Sequence, residues 1–267
     1  MCTECGCAFP PGMVQITTAA QKAVNLAAPP HTLELHTSLM RANDEAAAHN
    51  RAHFAWADVL VINLMSAPGS GKTSLLEATI EALGRRVRIG VIEGDLETEN
   101  DAARIRAKGV PAVQITTGQA CHLDAAMIHG ALHQLDLSQI DVLFIENVGN
   151  LVCPAGFDLG QDANVVLLSV TEGDDKPSKY PVMFRVADLV LLTKADLAPQ
   201  IDDFSLDRAT YNIRRLANDA PVHAVSTRRP NSLTQGLTPG LTPGLTPWLD
   251  WLEGALGRRS FPTKDAP

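Results

Sequence analysis

Seven short apolar runs recur along the chain from Val59: VLVINLM (59–65), VRIGVI (87–92), AVQIT (112–116), DVLFIE (141–146), NVVLLSV (164–170), DLVLLT (188–193) and PVHAVS (221–226). Each is continuous rather than alternating, and stretches of helical composition separate them. That combination marks strands covered on both faces and joined by crossover helices. Right-handed crossovers then predict a three-layer, doubly wound α/β fold around a mostly parallel sheet.

The flanks read differently. Residues 1–12 hold three cysteines followed by Phe9-Pro10-Pro11-Gly12, which cannot continue a regular element, so they form a ligand-bearing tail. Residues 13–58 are a lead-in in which the Ala-rich stretch from Ala42 to Trp56, headed by the capping residues Asn43 and Asp44, predicts a helix. The main domain covers 59–257. It ends in three Gly-Leu-Thr-Pro copies starting at Gly236, Gly240 and Gly244, which lead into Trp248, Trp251 and Leu252 at helical spacing. Three four-residue copies are too short for a solenoid, so they predict an expanded loop before a terminal helix that docks its tryptophans on the core. Residues 258–267 are a tail.

Composition narrows the function. A chain of 267 residues, 45% hydrophobic, can bury one substantial core. Its formal charge of −8 offers no basic field for a phosphate backbone, which argues against nucleic acid as a partner. No run of about 18 apolar residues occurs, and the start MCTECGCAFPPG lacks a secretory layout, so no membrane association and a cytoplasmic location are expected. The five cysteines are then thiols available to metal or redox chemistry.

The strongest motif is Ser66-Ala67-Pro68-Gly69-Ser70-Gly71-Lys72-Thr73, which follows the first run and opens a helical stretch, SLLEATIEAL. In a phosphate-binding loop, small residues turn successive backbone N–H groups toward phosphate oxygens while the helix N-terminus adds partial positive charge. Gly69, Ser70, Gly71 and Ser74 would cradle the nucleotide, Lys72 would reach the β- and γ-phosphates, and Thr73 would ligate Mg2+. Ser66 stands where the pattern G-x-x-x-x-G-K-S/T has its first glycine.

Two later runs end in acids. Asp95, in Glu93-Gly94-Asp95, and Glu146, in Glu146-Asn147-Val148-Gly149, are expected at the carboxyl ends of strands, where such folds bind ligands. Both are candidate Mg2+ carboxylates, Asp95 also a candidate to orient the attacking water, and Gly149 a point that senses the γ-phosphate. Thr193-Lys194-Ala195-Asp196 occupies the place of the guanine-reading N-K-x-D, with Thr193 for Asn. Asp196 can accept from guanine N1 and N2 while Lys194 lies along the ring, with Ser226 as a neighbour, so the nucleotide is read as GTP.

Cysteines form two further sets. Cys2, Cys5 and Cys7 make C-x-x-C-x-C, soft donors suited to Ni2+, Zn2+ or Cu+. With Met1 removed, the α-amine of Cys2 would complete an N,S3 set suited to square-planar Ni2+. Cys121, His122 and Cys153 are the second set. Cys153 lies just beyond Glu146 and Gly149, so a metal held there would be linked to nucleotide state. Three ligands leave a tetrahedral ion incomplete, which invites a second subunit or water. The remaining histidines, His31, His36, His49, His53, His129, His133 and His223, read as scattered.

Taken together, C-x-x-C-G-C, APGSGKTSLLE, EGDLETENDAARI, the pairing of ACHLDA with ENVGNLVCPAGFDLG, and TEGDDKPSKYP make the chain resemble the HypB family, nickel-insertion GTPases of NiFe-hydrogenase maturation. The resemblance runs from Val59 to about Ser226, plus the N-terminal motif. It implies a SIMIBI-class P-loop fold, a GTP-dependent homodimer, slow GTP hydrolysis, and nickel delivery to the hydrogenase large subunit with a HypA-like nickel chaperone and SlyD as partners. By position it makes Cys2, Cys5 and Cys7 a tight nickel site, and Cys121, His122 and Cys153 a nickel or zinc site at the dimer interface. It also puts Lys176 near the neighbouring subunit's nucleotide. Competing readings are a related metallochaperone GTPase serving urease or a cobalamin enzyme, and a non-enzymatic metal buffer controlled by nucleotide.

Overall fold

All seven apolar runs form strands of one parallel sheet in the computed structural model, which describes residues 14–16, 24–26, 30–97, 99–118, 120–228 and 244–258, with side chains from residue 38. The N-terminal cysteines and two of the three Gly-Leu-Thr-Pro copies lie outside the described residues. In chain order the elements are β1 (Val14–Ile16) and β2 (Val24–Leu26), an antiparallel pair, then α1 (Pro30–Ala57), β3 (Leu60–Ser66), α2 (Lys72–Leu83) and β4 (Ile89–Asp95). There follow α3 (Asn100–Ala107), β5 (Ala112–Thr116), α4 (Ala125–Leu132), β6 (Val142–Glu146), β7 (Ala163–Ser169) and the short helices α5 (Lys176–Lys179) and α6 (Pro181–Arg185). The last are β8 (Leu189–Thr193), α7 (Leu206–Arg214), β9 (Val222–Ala224) and α8 (Thr246–Gly257).

The sheet order is β5-β4-β6-β3-β7-β8-β9. From β3 the chain first builds β4 and β5 on one side, inserts β6, and then builds β7 to β9 on the other. The loop after β3 therefore sits where the winding reverses, the place where open α/β sheets bind ligands.

Alternation within β3 shows how the layers form. Leu60, Ile62 and Leu64 face the layer containing Leu75, Leu76 and Ile80 of α2, Ile105 of α3 and Trp248 of α8. Val59 and Val61 face the other side, against Phe54 of α1 and Ile128 of α4, while Met65 joins Val166, Val190, Phe184 and Ile213. The period of two thus divides one continuous apolar run between the two faces of the sheet.

One boundary differs from expectation. Asn43 and Asp44 do not cap a helix, because α1 begins at Pro30 and passes through them. Asn43 instead donates to the Asp158 carbonyl at 2.8 Å and accepts from the Ala125 N–H at 2.9 Å, so its polar group serves tertiary anchoring. Asn50, two turns later and fully buried, donates to the Ala125 and Leu159 carbonyls at 2.8 and 3.2 Å. These bonds fasten α1 to the start of α4 and to the loop before β7. Among the described residues no helix is long and apolar enough to cross a membrane.

The terminal helix docks as the tryptophan spacing indicates. Trp248 is fully buried, stacks on Trp251 with centroids 5.7 Å apart, and donates from Nε1 to the Thr79 hydroxyl of α2 at 2.8 Å. Trp248→Ala is expected to lower the unfolding free energy by about 3–5 kcal/mol through the cavity it leaves. Trp248→Phe, losing mainly the hydrogen bond, should cost about 1–2 kcal/mol. Urea unfolding followed by far-UV circular dichroism measures both, and equal losses would mean that ring packing is not what holds α8.

Candidate functional site

β3 delivers a braced phosphate-binding loop, with Ser66, Ser70 and Lys72 buried and its tip, Pro68 and Gly69, exposed. Gly69 and Gly71 take φ of 74° and 97°, a left-handed backbone that L side chains resist, and Gly71 ends the loop as the N-cap of α2. No side chain caps that helix, which leaves its first N–H groups for an anion. Ser70 Oγ lies 2.8 Å from the Ala67 carbonyl and 2.6 Å from Glu172 Oε1, and its single hydroxyl hydrogen is shared between these two acceptors. Ser66, in place of a first glycine, accepts from Lys72 Nζ at 3.2 Å while donating to the Ala67 carbonyl. The serine therefore parks the lysine beside the loop.

A cavity of about 520 Å³ opens in front of this loop and is lined by Gly69, Gly71, Lys72, Thr73 and Ser74 together with residues ending β4 and β6. Thr73 donates to Glu146 Oε1 at 2.9 Å. Glu146 stands directly opposite Glu93 in the β4–β6 register, and the two, with Asp101, bring carboxylate oxygens within 4.8 Å of one another. Asp95 lines the same cavity but is outside that group, its Oδ1 accepting from the Glu97 N–H at 3.0 Å. Of the two acids read from the sequence, Glu146 is bonded to Thr73 and Asp95 lines the same cavity, while Glu93 joins Glu146 as a further acid.

Glu93 had a signal of its own. It follows directly on an apolar run, two residues before Asp95 and hence on the same side of the strand, and an acid inside a strand buried on both faces needs a reason. Arg104 is the other omission. It lines the cavity while holding Glu77 and Asp101 at 2.6 and 2.7 Å.

Burial and the neighbouring Glu146 push the Glu93 carboxyl up to about 11, and burial raises Glu146 as well. Two carboxylates this close in low dielectric share a proton unless a cation replaces it. Glu93 Oε2 and Glu146 Oε2 are buried without a hydrogen-bond partner. A hard divalent cation with oxygen ligands, such as Mg2+, fits the pair together with the Thr73 hydroxyl.

Beside the phosphate cavity lies a pocket of about 180 Å³ lined by Thr193, Lys194, Asp196, Leu197, Val225 and Thr227, among others. Asp196 accepts from the Ser226 hydroxyl at 2.7 Å through Oδ1, while Oδ2 is buried and unpartnered. A guanine edge offers two adjacent N–H donors to such a carboxylate; an adenine edge offers an acceptor in the same place. Thr193 donates to the Ser70 carbonyl at 2.7 Å and Lys194 to the Gly69 carbonyl at 2.8 Å. Threonine thus serves as a tie between β8 and the phosphate loop, and the unpartnered acceptor of this group is Asp196 Oδ2.

In the segments that follow β5 and β6, Cys121, His122 and Cys153 come together. The sulfurs of Cys121 and Cys153 are 3.0 Å apart, and His122 Nδ1 is 3.9 Å from Cys121. His122 is buried with its ring stacked 3.9 Å from Phe157, and burial lowers its pKa, keeping the imidazole in its ligand form. Asn150 Oδ1 accepts from the Val152 and Cys153 N–H groups at 2.7 and 3.3 Å and so shapes the loop that carries Cys153. Lys176 sits over the Tyr180 ring, 5.5 Å from its centroid, outside the phosphate cavity's lining.

Asn147 joins the two sites. It follows Glu146 in the chain, and its Oδ1 accepts from the Leu123 N–H at 3.1 Å, one residue beyond His122. Its Nδ2 donates to Asn63 Oδ1 at 3.2 Å, which anchors it to β3. Gly149 then passes so close to the phosphate loop that a Cβ there would lie 2.8 Å from the Pro68 Cα. One segment, 146–153, therefore touches the cation carboxylates, the phosphate loop and the thiol site.

The chain is similar to known proteins over most of its length. The CobW/HypB/UreG nucleotide-binding domain matches residues 58–224. A hydrogenase maturation factor HypB from Azotobacter vinelandii is 52% identical over 227 residues, covering 85% of this chain and 71% of the relative. One from Escherichia coli K12 is 48% identical over 221 residues, covering 83% and 72%. The crystal structure of HypB from Helicobacter pylori in complex with nickel superposes with a TM-score of 0.73 at 40% identity, covering 84% of this chain and all of that one.

The shared proton has a measurable sign. Because the Glu93 pKa is raised from 4.5 to about 11, the cation-free fold holds a proton that the unfolded chain releases, so its stability declines as pH climbs through that window. A cation binding the pair displaces that proton and binds more tightly as pH rises. Titration calorimetry of Mg2+ into the GTP-loaded chain, in buffers of different ionisation enthalpy, should give a release approaching about one proton near pH 7, and Glu93→Gln should remove it. No release from the unsubstituted chain would place the cation elsewhere.

Proposed function

This chain belongs to the CobW/HypB/UreG family, and within it to the HypB hydrogenase maturation factors, and on that premise we propose that it is a GTP-hydrolysing nickel chaperone for NiFe-hydrogenase maturation. The observation that carries the proposal is the continuity of segment 146–153. Glu146 bonds Thr73 at the phosphate loop, Asn147 bonds the backbone beside His122, and Cys153 belongs to the thiol site.

In this reading the α2 N-terminus and Lys72 hold the β- and γ-phosphates, with Lys72 leaving Ser66 to do so. Mg2+ is held by Thr73, Glu146 and Glu93, and stabilises charge on the transferring phosphoryl group. Asp95 on the cavity wall is the candidate to orient the attacking water. Asp196, held by Ser226, reads guanine. Hydrolysis is slow, and Arg104, the arginine lining the cavity, is engaged with Glu77 and Asp101. Loss of the γ-phosphate shifts the Glu146–Gly149 stretch and through Asn147 alters the ligand set at Cys121, His122 and Cys153.

Those three residues supply two thiolates and one imidazole, suited to Ni2+ or Zn2+, and leave a coordination position that a second copy of the chain fills in a GTP-dependent homodimer. Cys2, Cys5 and Cys7 form a separate nickel site in the N-terminal tail. Nickel passes to the hydrogenase large subunit, with a HypA-like nickel chaperone and SlyD as partners, and the work is done in the cytoplasm.

Steady phosphate release from GTP, with ATP at least tenfold poorer, is the expected activity, and Lys72→Ala should abolish it. Asp196→Asn replaces an acceptor with a donor, so it should cut GTP use more than about a hundredfold and favour xanthosine triphosphate. Equal turnover of ATP and GTP would refute the base assignment. In cells, deleting the gene should abolish NiFe-hydrogenase activity and excess nickel should restore it; unchanged hydrogenase activity would refute the proposed client.

A further inference from the structure

Four histidines that read as scattered in the sequence, His49, His53, His129 and His133, gather on one surface patch where α1 packs against α4. His49 and His53 are four residues apart on α1, and His129 and His133 four apart at the end of α4, so each pair projects from one helix face. The rings of His49 and His53 stack with centroids 4.8 Å apart. His129 lies 4.9 Å from His49 and 5.6 Å from His53, and His133 meets His129 edge-on at 5.2 Å. One ring nitrogen each of His49, His53 and His129 lies within 4.8 Å of the others.

Aromatic packing alone does not account for this patch. His49, His53 and His133 are exposed, so stacking them removes little apolar surface from water, and protonated rings in this arrangement would repel. Burial and the charges of His49, His133 and His53 lower the pKa of His129, which leaves it neutral with a lone pair to donate.

The buried neighbour Asn50 also orients it. Asn50 Nδ2 is committed to the Ala125 and Leu159 carbonyls, so the group facing His129 Nδ1 at 3.3 Å is the Oδ1 acceptor. His129 must then carry its proton on Nδ1 and hold Nε2 open as the ligand atom. This is the outer-shell hydrogen bond that metal-binding histidines ordinarily make.

We propose that His49, His53 and His129, with His133 at the rim, form a transition-metal site for one divalent ion of borderline softness, such as Ni2+ or Zn2+, distinct from the thiol set at Cys121, His122 and Cys153. Around an ion with metal–nitrogen bonds of about 2.0–2.1 Å, tetrahedral donors sit roughly 3.4 Å apart. The exposed His49 and His53 on α1 close that difference by rotating about χ1 and χ2 toward His129, which Asn50 holds in place. An all-imidazole set suits these ions and releases them more readily than thiolates do. α4 begins three residues after His122, so one continuous stretch of chain leads from the thiol site into the patch. The patch is built to stage an exchangeable ion beside the thiol site.

The test uses the full chain with all five cysteines changed to serine, titrated with Zn2+ alone and with Ni2+ alone by competition with a chromogenic chelator. One equivalent should bind, without sulfur-to-metal charge-transfer absorption. Adding His53→Gln and His129→Gln should weaken it at least tenfold, whereas His223→Gln should not. Should the serine background fail to fold, the same pair of histidine changes in the unsubstituted chain should lower the total stoichiometry by one equivalent while the thiolate absorption of bound Ni2+ persists. Absence of that equivalent, or its survival when His53 and His129 are both replaced, would overturn the proposal.

Discussion

The hydrogen bond from the Leu123 N–H to the Asn147 side chain is the contact on which the rest of the arrangement depends. It is buried, it joins segments that are distant in sequence, and each partner is next to a residue with chemistry of its own. Glu146 precedes Asn147 and faces the cation position; His122 precedes Leu123 and faces the thiols. A buried N–H left without its acceptor costs about 1–3 kcal/mol, so the two segments are held together and movement of one is felt by the other. Asn147 is in turn fixed to Asn63, and Asn63 to the half-buried Asn164, so a row of amides runs from the end of β6 across β3 to β7.

This bond is possible only because of the winding of the sheet. β6 is inserted between β4 and β3, which brings Glu146 into register with Glu93 on one side and within reach of the phosphate loop on the other. The loop after β5 that carries Cys121 and His122 returns across the β6 end before α4 begins, and α1 clamps that return through Asn43 and Asn50. Long-range polar anchoring by α1 thus supports the thiol site without contributing a ligand to it.

Much of this was legible in the chain. The strands were, because continuous apolar runs of that length have few alternatives, and the phosphate loop was, because strand, loop and helix fall in order around Gly71-Lys72-Thr73. The register that sets Glu93 against Glu146 was not, since a parallel pairing between strands distant in sequence leaves no local mark. The start of α1 was missed because Asn43 has the composition of a cap and is used for tertiary contacts instead. The histidine patch was invisible for the same reason as the glutamate pair. Spacing of four within each helix is readable, but which helices pack together is decided by the whole fold.

Coupling between nucleotide and metal is the claim that gives the thiol site its meaning, and linkage makes it measurable from either side. The decisive measurement is the Ni2+ affinity of the Cys121, His122 and Cys153 site, read by thiolate charge-transfer absorption in a chain with Cys2, Cys5 and Cys7 changed to serine. It is compared between the chain loaded with GDP and the chain loaded with a non-hydrolysable GTP analogue. Coupling through Asn147 predicts affinities that differ at least fivefold between the two states, and a difference that collapses in Asn147→Ala. Equal affinities in both nucleotide states would contradict it.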